Sequence, residues 1–143
     1  MFLGTHHPRL DDKGRLFLPA RFREDLSGGL VVTRGQEGCL YVFARERFAA
    51  MAADMSVAAF TNKPARDLGR VFFAGASDEV PDKQGRITVP AALRAYAGLS
   101  KECVVIGNND RLEIWDQGQW ESYLEGQEDA FANLDSQEVP GTT

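Results

Sequence analysis

The stretch Asp11-Asp12-Lys13-Gly14-Arg15-Leu16-Phe17-Leu18-Pro19-Ala20-Arg21-Phe22-Arg23 decides the fold, because the chain writes it twice. The second copy is Asp82-Lys83-Gln84-Gly85-Arg86-Ile87-Thr88-Val89-Pro90-Ala91-Ala92-Leu93-Arg94. Gly14 and Gly85 lie 71 positions apart, and the same offset relates Asp11 to Asp82, Arg15 to Arg86, Pro19 to Pro90 and Arg23 to Arg94. The apolar positions correspond as well: Leu16 with Ile87, Leu18 with Val89, Phe22 with Leu93. One Gly-Arg pair would carry little weight. Two long copies that share charge, glycine, proline and apolar pattern establish an internal repeat, and a repeat constrains the whole fold.

Each copy spells the same local structure. Asp11 to Gly14 is turn chemistry, since an aspartate accepts hydrogen bonds from nearby backbone N–H groups and glycine tolerates positive φ. Arg15 to Leu18 reads as a strand. Pro19 suits the first position of a helix, where its missing N–H would be unpaired anyway. Phe22 and Leu26 then share one helical face, and Ser27-Gly28-Gly29 stops the helix. The second copy repeats this with a turn at Asp82–Gly85, a strand at Ile87–Val89, and a helix from Pro90 to Gly98.

Outward from the repeat, Met1 to Leu10 reads as a short strand bent at Pro8. Leu30–Thr33 and Cys39–Phe43 form a hairpin around Arg34–Gly38. Cys103–Ile106 and Arg111–Trp115 form its counterpart around Gly107–Asp110. Leu40 matches Leu112, Val42 matches Ile114, Phe43 matches Trp115 and Phe48 matches Trp120, now at an offset of 72. Residues 44–55 follow helical spacing with Phe48, Met51, Ala52 and Met55 on one face, a core stripe. Residues 56–69 are a weaker helical or loop segment in which Pro64 breaks or starts a helix. Val71-Phe72-Phe73-Ala74 is an apolar run ended by Gly75. Trp120, Tyr123 and Leu124 give a last helix its apolar face, and the periodicity fades past about residue 126.

The chain has 143 residues, 43% hydrophobic and 26% charged, ordinary for a globular protein of one domain or two small halves. No apolar run approaches the roughly 20 residues that cross a membrane. The opening residues lack a basic segment followed by an apolar core, so no secretory signal is expected. Cys39 and Cys103 are far apart in apolar surroundings and read as reduced core thiols. The net charge of −5 is unevenly spread. Eight acidic residues fall from Glu113 onward, where no Lys or Arg occurs, which leaves 16 basic against 13 acidic side chains, a net of +3, in residues 1–112. Such asymmetry marks a basic working surface and an acidic tail.

Each half holds about four short strands and one short helix, too little for a stable core alone. Two such halves can interleave, each covering the other's apolar strand face. The expected fold is therefore α+β: a small closed β-barrel of two interleaved halves with approximate twofold symmetry and flanking short helices. The expected boundaries are residues 1–55 for the first half, 56–76 for a connecting segment, and 77–126 for the second half. Residues 127–143 are expected to be an acidic, disordered tail, including Val139-Pro140-Gly141-Thr142-Thr143.

Both copies resemble the swapped-hairpin DNA-binding family that includes the AbrB and SpoVT regulators, whose halves build a double-split β-barrel. The tandem arrangement is similar to the MraZ family over roughly residues 1–125. Phe72-Phe73-Ala74-Gly75-Ala76 precedes the second copy, and Arg111-Leu112-Glu113-Ile114-Trp115 follows it. The resemblance implies a bacterial transcriptional regulator of the division and cell-wall gene cluster. It also implies a ring-shaped homo-oligomer, an octamer or a dodecamer, on short repeated DNA boxes. A protein of that kind is cytoplasmic and nucleoid-associated, and needs no cofactor, metal, membrane or small-molecule substrate.

A DNA reader needs cationic groups held toward the duplex, and a guanidinium grips a guanine edge or a phosphate with two parallel hydrogen bonds. Arg15 and Arg86 are the expected main contacts. Lys13 assists, Gln84 takes its place in the second copy, and Gly14 and Gly85 keep the surface low enough for close approach. Asp11 and Asp82 are expected to order the turns. Arg23 and Arg94 lie on helices, where pairing with carboxylates or helix ends is expected.

Two rival readings are weaker. An enzyme would need chemistry the chain does not spell: there is no Cys-x-x-Cys, no His-Glu-x-x-His, no nucleophile elbow and no phosphate-binding glycine loop. The adjacent His6 and His7 read as exposed strand residues rather than metal ligands. The alternative from a different class is a structural assembly module without DNA binding, whose basic turns form salt bridges between subunits. RNA binding lacks the aromatics interleaved with basic residues that it would require.

Overall fold

A computed structural model describes residues 1–138 and 141. Among these the strands are β1 (Thr5–His6), β2 (Arg15–Phe17), β3 (Leu30–Arg34), β4 (Leu40–Ala44), β5 (Ser77–Glu79), β6 (Arg86–Thr88), β7 (Cys103–Asn108) and β8 (Arg111–Asp116). The α-helices are α1 (Arg23–Leu26), α2 (Arg45–Ala59), α3 (Lys63–Ala74), α4 (Ala91–Ala97) and α5 (Gln117–Ala132). The class is α+β, and all strand pairs are antiparallel.

The strands form a six-stranded sheet, in the order β1-β7-β8-β4-β3-β5, and a separate two-stranded ribbon, β2-β6. Exchanging the halves, β1 for β5 through β4 for β8, turns the sheet order into its own reverse. The twofold relation written in the sequence is therefore a twofold of the structure. It passes through matching residues in both layers: Leu16 faces Ile87 in the ribbon, and Tyr41 faces Glu113 in the sheet. The halves are also exchanged at the edges. β1, ahead of the first copy, pairs with β7, and β5, ahead of the second, pairs with β3.

Ribbon and sheet close over one core. Leu16, Leu18, Ile87 and Val89 of the ribbon region pack with Leu30, Val32, Leu40, Val42, Val105, Leu112 and Ile114 of the sheet, joined by Phe22, Leu26 and Leu93 from the helices. Burying each such side chain stabilises by about 1.5–3 kcal/mol, and the core draws on both halves. The first segment ties the two layers together: Arg9 bridges Glu102 beside β7, and Leu10 bridges Leu16 in β2. The expected barrel is thus a sheet and a ribbon over a shared core rather than one continuous ladder.

Several local details differ from expectation. Pro19 and Pro90 stand one residue before their helices, in extended conformation, and neither offers a side-chain cap. The connecting segment is mostly helical. α2 runs on to Ala59, and Pro64 starts α3 rather than breaking it, with Asn62 Oδ1 accepting from the Ala65 N–H at 3.1 Å. The apolar run Val71–Ala74 is the end of α3. Phe72 is buried there against Phe43 and Phe48, and its carbonyl accepts from the Thr33 hydroxyl. α5 extends to Ala132, so residues 127–132, expected in the disordered tail, are helical. Val139, Pro140, Thr142 and Thr143 lie outside the described residues.

Candidate nucleic-acid interface

The two turns are built alike, bond for bond. Asp11 Oδ1 accepts from the backbone N–H of Lys13 at 2.9 Å and of Arg15 at 2.8 Å, while Oδ2 accepts from Arg15 Nε at 2.8 Å. Asp82 Oδ1 accepts from the N–H of Gln84 and of Arg86, both at 2.9 Å, and Oδ2 accepts from Arg86 Nε at 2.8 Å. These donors, led by the arginine's own backbone N–H, hold both carboxyls below the usual carboxylate range. Gly14 at φ +76° and Gly85 at φ +80° close the turns in the left-handed region that glycine favours. Each glycine also serves the other half: the Leu18 N–H donates to Gly85 O at 2.9 Å, and the Val89 N–H donates to Gly14 O at 2.8 Å.

The ribbon then sets the direction of each arginine. Leu16 and Ile87 face the core, so by strand alternation Arg15, Phe17, Arg86 and Thr88 share the outer face. The register places Arg15 opposite Thr88 and Arg86 opposite Phe17. Two residues along the strand and one strand across put the two arginine Cα atoms roughly 8 Å apart. Their side chains are 30% and 21% exposed. The aspartate clasp uses Nε, which leaves the Nη1–Nη2 edge, the fork that grips a phosphate or a guanine, for an external acceptor. Arg86 also lies over the Phe17 ring, 5.8 Å from its centroid.

Lys13 and Gln84 are exposed at the turn tips, beside Asp12 and Lys83. Lys83 was not singled out in the sequence, because it stands one place earlier than Lys13 within its turn. Phe17 was not either, and only the ladder reveals it as the neighbour of Arg86.

Arg23 and Arg94 do not pair with carboxylates among the described residues. Instead they cross between the halves. Arg94 lies against Gly14, where an added Cβ would stand 2.9 Å from its Cζ, and Arg23 lies against Gly85 in the same manner. Arg23 Nε donates to Leu18 O at 3.1 Å, whereas Arg94 Nε is buried without a partner. The bare glycine surface is what lets a guanidinium lie flat beside each turn. Ribbon, turns and these two helix residues together carry Lys13, Arg15, Arg23, Lys83, Arg86 and Arg94 against Asp11, Asp12 and Asp82, six positive charges to three negative.

Cys39 and Cys103 are buried and unbridged. Burial, the largest cause, pushes both thiols up, Cys103 to about 11. His6 is half-buried, packed edge-on against Phe22 at 5.2 Å, and His7 is exposed. Among the described residues no three metal-binding side chains cluster, and no helix is long and apolar enough to cross a membrane.

The family model described as "MraZ protein, putative antitoxin-like" matches this chain twice, over residues 1–71 and 72–139. The chain belongs to the MraZ family. The two matches agree with the twofold repeat of the fold, although their boundary at 71/72 falls within α3. Family relatives named "Transcriptional regulator MraZ" are similar along nearly the whole chain. The proteins from Frankia casuarinae, Thermobifida fusca and Kineococcus radiotolerans are 58%, 59% and 60% identical over 141 residues, 99% of both chains in each case.

Proposed function

We propose that this chain is a DNA-binding transcriptional regulator and not an enzyme. It acts in the cytoplasm, associated with the nucleoid, as a ring-shaped homo-oligomer of eight or twelve copies. Its targets are repeated promoter boxes of the division and cell-wall gene cluster. The name carried by its MraZ relatives supports regulation, and the outer face of the ribbon supports DNA contact.

One observation carries the reading: two arginines, clasped identically by Asp11 and Asp82, stand on one face of a two-stranded ribbon. A two-stranded β-ribbon fits the major groove, which is about 12 Å wide. At roughly 8 Å separation, Arg15 and Arg86 reach positions two to three base pairs apart on one side of the duplex. Lys13, Lys83 and Gln84 at the turn tips then meet the flanking backbone, which sets register rather than sequence. One ribbon makes few contacts and binds weakly. A ring presents many, and boxes spaced near one helical turn place several subunits on the same face of the DNA.

The test is a footprint of the purified protein on DNA upstream of its own gene, repeated over a range of salt, alongside its mass in solution. The expected result is protection of short repeated boxes, with affinity falling steeply as salt rises, because counterions are released. Absence of protection at any salt would leave an assembly module as the better reading.

A further inference from the structure

Among the described residues, two exposed apolar surfaces beyond the ribbon face are complementary to each other. The first is the C-terminal half of α5. The helix is fixed to the body near its start, where Trp120 and Tyr123 pack on Trp115 at ring-centroid distances of 5.2 and 5.0 Å. From Glu125 to Ala132 every residue is exposed, and Phe131 is 69% exposed. A helical stretch this short has little stability of its own in water and needs a surface to lie on. It is also acidic: residues 125–132 hold three acidic side chains, Glu125, Glu128 and Asp129, and no basic one.

The second surface is the α2–α3 hairpin. Met51, Met55, Leu68, Val71 and Phe72 form one wall of an apolar groove of about 320 Å³ whose other wall, with Arg34, Tyr41 and Tyr96, belongs to the body, and both Leu68 and Val71 are more than half exposed. An adjoining hollow shares Met55 and is walled by Arg66 and Arg70. The hairpin, residues 45–74, carries five basic side chains against three acidic. An acidic helix with one exposed aromatic and an apolar groove beside two arginines are complementary, and both are present once on every copy.

We propose that the C-terminal half of α5 of one copy docks on the α2–α3 hairpin of the next copy. Phe131 enters the groove at Leu68 and Val71, and Glu125 and Glu128 face Arg66 and Arg70. Donor and acceptor are different surfaces, so the contact is heterologous, and repeated contacts of that kind close into a ring or run on as a filament. This rests on the homo-oligomer part of the proposed function and is independent of the ribbon's contact with DNA.

The test is the mass of the full chain in solution by light scattering, with circular dichroism to check folding. Phe131→Asp and Val71→Asp, both on exposed side chains, are each expected to reduce the wild-type assembly to single chains of 15.8 kDa. Mixed together, they should give a species of two chains, since one intact α5 still meets one intact groove. Should either variant misfold, a charge exchange reads the same contact. Arg66→Glu with Arg70→Glu should dissociate the assembly, and adding Glu125→Arg with Glu128→Arg should restore it. A monomeric wild type, unchanged mass in the folded variants, or failure of the charge exchange to restore assembly would overturn the inference. Arg15→Ala with Arg86→Ala should abolish DNA binding and keep the assembled mass, so failure of one reading is distinguishable from failure of the other.

Discussion

Replacing Gly85 by alanine should cost clearly more than replacing Gly38 by alanine, although the two glycines have almost the same φ. Gly38 has φ +79° with nothing within 4 Å of an added Cβ, while Gly85 has φ +80° with the Arg23 side chain in the way. At Gly38 the substitution costs only the left-handed backbone, about 1–2 kcal/mol. At Gly85 the Cβ must also displace Arg23 and break its hydrogen bond to Leu18 O. That adds about 1 kcal/mol, for a total near 2–3 kcal/mol. Gly14→Ala should fall between them, because the Cβ displaces Arg94, whose Nε has no partner to lose. For 143 residues each kcal/mol lowers Tm by about 3 °C. The order Gly38, Gly14, Gly85 should therefore appear in thermal unfolding followed by circular dichroism. All samples need one protein concentration, because association adds to stability. Equal losses at Gly85 and Gly38 would refute the role given to the crossed arginines.

Two further outcomes follow from charged groups. Glu113 is buried, and its carboxylate accepts from Trp115 Nε1 at 3.1 Å, Asn108 Nδ2 at 3.0 Å and Arg111 Nε at 3.0 Å. Glu113→Ala leaves all three donors without it and should destabilise by about 3 kcal/mol in urea unfolding; a loss under 1 kcal/mol would contradict that network. The carboxyls of Asp11 and Asp82 are lowered in the folded chain, so the unfolded chain binds more protons in acid. Their stabilisation is complete above the unfolded value of about 3.9 and is lost as pH falls through the folded values. An acid titration of Asp11→Asn with Asp82→Asn should show a smaller loss of stability below about pH 4 than wild type. Identical acid profiles would mean that the clasps do not titrate as described.

The repeat was legible because its residues are local. Asp, Gly, Arg and Pro at fixed spacing specify the same turn and strand twice, and the individual hydrogen bonds of each turn, with the arginine Nε among the donors, appear only in the structure. Interleaving was legible too, since neither half has enough apolar surface alone. The exchange of β1 onto β7 and β5 onto β3 was not, because edge pairing leaves no local pattern in such short strands. Arg23 and Arg94 were misjudged for a related reason: each rests on a glycine of the opposite half, far away in sequence. Residues 71–74 read only as an apolar run, and burial of Phe72 against Phe43 and Phe48 is a tertiary fact. α5 outlasted its apolar stripe because residues such as Gln127, Glu128 and Ala130 favour helix without marking a face.

The central claim is that the paired arginines on the ribbon's outer face hold the DNA. Gel shifts of wild type, Arg15→Ala, Arg86→Ala and the double variant, on the footprinted promoter fragment and at equal assembled mass, test it most directly. Each single variant should weaken binding at least tenfold, and the double variant should show no specific shift. Wild-type affinity in both single variants would contradict the account.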